Sequence, residues 1–149
     1  MNSMHFYPIG VIHTPFESPS ETPIQSSRSI TAGEVEVFMD YVDGLEGLEE
    51  FSHLILIYTW HRAARCEDLR VKPFLDDQKY GVFATRYPCR PNPIGLSVVR
   101  LIERRGNRLK IQGVDMLNET PLLDIKPYVP EFDIHPADRM GWYSRRAHP

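Results

Sequence analysis

Between Gly81 and Ser97 the chain reads GVFATRYPCRPNPIGLS, and residue types suited to chemistry lie closest together here. Pro88, Pro91 and Pro93 and the cations Arg86 and Arg90 stand between two apolar runs. Proline fixes φ and removes a backbone donor, so Pro91-Asn92-Pro93 belongs neither in a helix nor in the middle of a sheet. A stiff, extended loop that costs little entropy to hold is expected. Such a loop suits an anionic or carboxylate-bearing ligand, because a guanidinium fork binds best from a backbone already in position. A proline-rich surface connector with solvated arginines has the same composition, and residue types alone leave both readings open.

A second set lies along PLLDIKPY, where Asp124, Lys126 and Tyr128 alternate on one face of an extended segment. Such a triplet is either a structural ion pair beside a solvent tyrosine or a set that binds an amine and handles its proton. His61 ends the apolar run His53 to Trp60 where a charged stretch begins. A strand-end histidine is commonly structural. No GxGxxG, Walker-type phosphate loop, HExxH or paired CxxC occurs, so Rossmann and P-loop sites are not indicated. No metal site is expected, because a whole strand separates His53 from His61.

These residues need a scaffold. At 149 residues the simplest organisation is one domain, 1–149, with a polar tail from about 131. A hydrophobic content of 42% and a charged content of 25% are those of a globular protein. The longest apolar run, Leu54 to Tyr58, is strand-sized, so no membrane span is expected. The start lacks the layout of a signal peptide. Cys66 and Cys89 are too few for a disulfide scaffold and lack metal-site spacing, which fits a reducing cytoplasm. Residues 1–50 hold one Lys/Arg against nine Asp/Glu, whereas 51–149 hold sixteen against eleven. A chain of net charge −3 can thus present a basic face to phosphate, or simply carry solvated charges.

Strands are expected at Phe6 to His13, at Glu34 to Phe38 and at His53 to Trp60, the last apolar on both faces and therefore central. Further strands are expected at Gly81 to Thr85, Leu96 to Glu103 and Leu109 to Met116, the last two joined by a turn at 105–108. Pro121 to Tyr128, interrupted by Pro127, reads as an edge strand. Asp43 to Phe51 suggests a helical turn, and Thr14 to Thr31 and Arg62 to Gln78 read as loops. Short strands separated by turns argue for an all-β fold, a small closed or nearly closed antiparallel barrel with long loops and few helical turns.

Four segments in order carry a wider likeness: PIGVIHTPF, GLEGLEEFSHLILIYTWH, GVFATRYPCRPNPIG and TPLLDIKPYVPEFD. Together they resemble the TsaA/TrmO-like family, also called the UPF0066 or VirR-like family. The resemblance covers almost the whole chain. It implies a β-barrel, dimeric methyltransferase that uses S-adenosylmethionine to methylate N6 of a threonylcarbamoyl-adenosine beside the tRNA anticodon. Bacterial members carry a further C-terminal domain, and with this chain ending after the barrel a different acceptor is the alternative. A module that binds S-adenosylmethionine or RNA without turnover is another.

The resemblance also implies site residues. Cofactor contacts are expected from Gln25, Ser26, Ser27 and Arg28, from His61 and Arg62, and from Thr85, Arg86, Pro93, Ile94, Gly95 and Leu96. Members commonly carry a glycine where this chain has Ser26-Ser27-Arg28. Trp142 would stack on the cofactor adenine or staple the tail. Arg86 would meet the cofactor carboxylate or an inner acid, and Asp124, Lys126 and Tyr128 would attend the acceptor amine. Arg65, Lys72, Arg90, Arg145 and Arg146 would meet tRNA phosphates. A homodimer is expected, because the apolar strand His53 to Trp60 suggests more apolar surface than one small barrel covers.

Overall fold

The computed structural model describes residues 2–24, 29–63 and 66–145. Its chain divides into two compact units, 1–61 with 94–128, and 62–93 with 129–149.

The first unit is a closed antiparallel barrel. Its strands are β1 (Gly10–His13), β2 (Ala32–Val37), β3 (His53–Thr59), β6 (Ile94–Arg105), β7 (Arg108–Gln112) and β8 (Thr120–Pro127), in the order β1-β2-β7-β6-β3-β8. Alternation decides which side chains fill it. On β3, Leu54, Leu56 and Tyr58 point inward and are at most 2% exposed, while Ile55 and Ile57 face out. Ile12, Val35, Val37, Val99, Leu109, Ile111 and Leu122 complete the interior, and Leu45, Val114 and Met116 pack with them. The β6–β7 hairpin closes on Gly106-Asn107, with Gly106 at φ +60°, as the first central residue of a type II′ turn requires. Residues 39–45 and 48–50 form 3-10 turns, where a helical turn is expected.

β3 is central, as its two apolar faces imply, being paired with β6 on one side and β8 on the other. Four details differ from expectation. The first strand begins at Gly10, because Phe6 and Tyr7 stay 64% and 77% exposed and Pro8 lacks a donor. β8 is no edge: it bonds both β1 and β3, with its prolines at the second and last positions. β7 stops at Gln112, since the Gly113 and Val114 amides turn to the Thr31 carbonyl. Of Gly81 to Thr85 only Gly81 is in a strand, as shown below.

In the second unit, β4 (Arg70–Val71) pairs with β5 (Tyr80–Gly81), so part of the expected 62–78 loop is strand. The chain then winds into a 3-10 turn at Val82–Ala84, because only Val82 of that apolar run finds cover. The one α-helix among the described residues, α1, is the single turn Pro130–Asp133, and a 3-10 turn follows at Gly141–Arg145. Trp142 donates its indole N–H to the Ala84 carbonyl at 2.7 Å and stacks on Tyr80, centroids 5.5 Å apart. The segment read as a tail therefore carries the ring that anchors it.

Candidate functional site

The proline-rich loop of the second unit is held by its own side chains. Thr85, 7% exposed, donates its hydroxyl to the Val82 carbonyl at 2.8 Å and accepts the Tyr87 amide at 3.2 Å. Arg90 Nη1 donates to the carbonyls of Thr85 (3.0 Å) and Tyr87 (3.1 Å). Cys89 is joined to Cys66 by a disulfide, with Cα atoms 5.2 Å apart. Although two cysteines make no multi-bridge scaffold, this pair closes one, which the reading of a reducing environment did not anticipate. Within this braced stretch Arg86 is exposed. That is the expected stiff presentation of a guanidinium, achieved by hydrogen bonds and a covalent link as well as by proline. Arg90, expected at phosphate, has at least one of its nitrogens committed to bracing the loop.

In the first unit, β6 begins at the PNPIG segment. Ile94 and Leu96, 42% and 55% exposed, face out, while Gly95 and Ser97 face in. Gly95 lies opposite Tyr58, whose ring occupies the space a Cβ would need. Tyr58 donates its hydroxyl to Ser97 Oγ at 2.8 Å, and Ser97 donates onward to Asp115 Oδ1 at 2.6 Å. Burial, aided by the Asp115 charge, pushes the Tyr58 phenol well above its ordinary range, so it remains a donor. Sequence reading missed this chain of three. Strand alternation could have turned Ser97 inward, but the partnership with residues 39 and 18 positions away has no local signal.

Asp124 and Lys126 meet as an ion pair at 3.0 Å, both side chains about half exposed. The other Asp124 oxygen accepts the Ile125 amide at 2.9 Å. Tyr128 sets its ring edge-on to His53 at 6.1 Å. Near them a 420 Å³ groove is lined by Asp40, Asp43, Asp124, Tyr41 and aliphatic side chains. His61 and Arg62 are exposed. Lys72 pairs with Asp77 at 3.7 Å, and Arg145 lies beside the Tyr80 hydroxyl and Asp76. Trp142 serves as the staple described above, with one ring face against Tyr80. Gln25, Ser26, Ser27, Arg28, Arg65 and Arg146 lie outside the described residues. Among the described residues no three His, Cys, Asp or Glu side chains gather as a metal would require, and no helix is long and apolar enough to cross a membrane.

Residues 11–134 match the tRNA-methyltransferase O N-terminal domain. The chain belongs to this family. A relative from Pyrococcus abyssi, named a probable S-adenosyl-L-methionine-binding protein, is 56% identical over 96% of this chain and 78% of its own length. The human tRNA (adenine(37)-N6)-methyltransferase is 36% identical over 85% of this chain and 30% of its own. A crystal structure of TrmO superposes with a TM-score of 0.80 at 40% identity, covering 95% of this chain and 64% of that one. The chain thus spans about two thirds or less of these TrmO and methyltransferase chains. Within the family's stretch lie the barrel and the braced loop alike.

Proposed function

We propose that this chain is the S-adenosylmethionine-binding barrel of a methyltransferase acting in the cytoplasm on N6 of a threonylcarbamoyl-adenosine beside the tRNA anticodon. The observation that carries the reading is the loop 85–90, whose hydrogen bonds fix the backbone that displays Arg86. It lies within the stretch that matches the family. An exposed arginine on a fixed backbone fits a cofactor that carries a carboxylate.

S-adenosylmethionine, when bound, supplies a methyl group already activated on a sulfonium. What this chain must add is binding, alignment and management of one proton. Arg86 takes the cofactor carboxylate, and further contacts are assigned to His61, Arg62 and the sequence-continuous segment from Thr85 to Leu96. Ile94 and Leu96 offer exposed side chains for this, and Gly95, beneath Tyr58, sets the course of the strand. We assign Asp124 to accept the N6 hydrogen and take the proton as N6 gains the methyl group, with Lys126 holding its carboxylate in place. Arg86→Ala should weaken S-adenosylmethionine about tenfold or more, the scale of a lost hydrogen bond to a charged group. Calorimetric titration tests this, and an unchanged affinity would remove Arg86 from the site. Several relatives are named only for S-adenosylmethionine binding, which favours a second reading as a binding module without turnover.

A homodimer forms part of the proposal. On the outer face of the barrel Ile55 lies opposite Val98 and Ile57 opposite Leu96, with Ile94 beside them. This is a contiguous apolar sheet face of the kind that associates. Light scattering should return about twice the 17.3 kDa of one chain, and Ile57→Glu should halve it. A wild-type monomer at micromolar concentration would contradict the dimer.

A further inference from the structure

The two units differ in charge as well as in fold. By sequence the barrel unit carries seven Lys/Arg against thirteen Asp/Glu, while the second unit carries ten against seven. The barrel's exposed aromatics, such as Phe6 and Tyr7, thus sit on an acidic body and those of the second unit on a basic one. Three rings of the second unit lie in or near its braced loop in sequence, and two of them touch. Phe83 is 76% exposed and has no ring partner among the described residues. Phe74 is 65% exposed and leans on Tyr87, centroids 5.0 Å apart and planes tilted by 36°.

The backbone beneath these rings is fixed. Phe83 follows Val82, which is 1% exposed, and precedes Ala84, whose carbonyl receives the Trp142 indole N–H. Tyr87 is tied through its amide to Thr85 and through its carbonyl to Arg90. A single exposed phenylalanine is ordinary on a protein surface, but rings held on a fixed backbone beside one loop are suited to meet a flat partner. On a basic body the occupant that offers both flat faces and negative charge is single-stranded nucleic acid. Unpaired bases stack on aromatic rings while neighbouring cations take the phosphates.

We infer that Phe83 and the Phe74–Tyr87 pair are a stacking platform for unpaired bases of the RNA loop that this protein takes as substrate. The inference rests on the tRNA reading above and adds to it the residues that hold the bases. Unpaired bases of that loop lie on these rings, and cations of the same unit follow the backbone.

The test uses the full chain and a synthetic anticodon stem-loop, with binding measured at several salt concentrations. Phe83→Ala and Phe74→Ala should each weaken binding about tenfold, the scale of one lost base–aromatic stack. The salt slope should stay unchanged, because no phosphate contact is removed. Phe83→Trp should retain affinity. A stem-loop with one abasic loop position should bind the wild type about tenfold more weakly and Phe83→Ala no more weakly than the intact loop does. S-adenosylmethionine affinity and melting temperature, measured in parallel, should not move. If the wild type binds the stem-loop and both alanine variants bind it equally well, the platform is wrong and the tRNA reading stands. Should the alanine variants instead change the oligomeric mass, the rings belong to a protein interface and the inference falls. If the wild type fails to bind at any salt concentration, the tRNA reading falls and takes the inference with it.

Discussion

Gly95→Ala should destabilise the barrel by about 2–3 kcal/mol, the upper part of the usual range for overfilling a packed core. An added Cβ would lie 2.6 Å from Tyr58 Cζ and 2.9 Å from Cδ2, and would also overlap Cε2. The ring cannot easily give way. Its hydroxyl is tied to Ser97, Trp60 meets it edge-on at 6.1 Å, and only 2% of the residue is exposed. In a chain of this size the loss corresponds to a fall in melting temperature of roughly 5–10 °C. Gly81→Ala is the control, because nothing lies within 4 Å of its Cβ position. Its effect should stay within about 0.5 kcal/mol. Equal melting temperatures for the two variants would show that Tyr58 does not sit on Gly95.

Opening the Cys66–Cys89 disulfide should cost the second unit about 3 kcal/mol, the chain-entropy value for a closed loop of this length. Residues 62–93 bury few large side chains, Val82 being 1% exposed and Val71 9%, so the cross-link matters more here than it would in the barrel. Denaturant titration with and without dithiothreitol measures the effect, and the Cys66→Ser/Cys89→Ser double variant should no longer respond to the reductant. Two titratable thiols in the oxidised native protein, with no effect of dithiothreitol, would contradict the pairing. Since a reducing compartment opens most disulfides, the same experiment tells how much order the loop keeps through Arg90 and Thr85 alone.

The barrel was legible where the signal is local. HLILIYT alternates two apolar faces, and the structure places β3 between two neighbours accordingly. Closure was harder to read, because β8 pairs with β1 across more than a hundred residues and its prolines resemble those of an edge. The second unit left little periodicity, with strands of two residues each and a 3-10 turn in an apolar run. Trp142 on Ala84 and Cys66 on Cys89 are long-range pairings that spacing does not encode. For the site, residue types revealed a stiff cationic loop. They did not reveal that Thr85 and Arg90 bond to the loop's own backbone and stiffen it, while Arg86 is exposed.

Methyl transfer itself is the most direct test. The protein would be incubated with S-adenosylmethionine labelled in the methyl group and with tRNA that carries threonylcarbamoyl-adenosine but lacks the N6 methyl. The tRNA would then be digested to nucleosides. Label in a single nucleoside heavier than threonylcarbamoyl-adenosine by one methyl group is the predicted result, and Asp124→Asn should reduce it while leaving cofactor affinity intact. Undiminished S-adenosylmethionine binding with no label in any nucleoside would contradict the enzyme and leave a binding module.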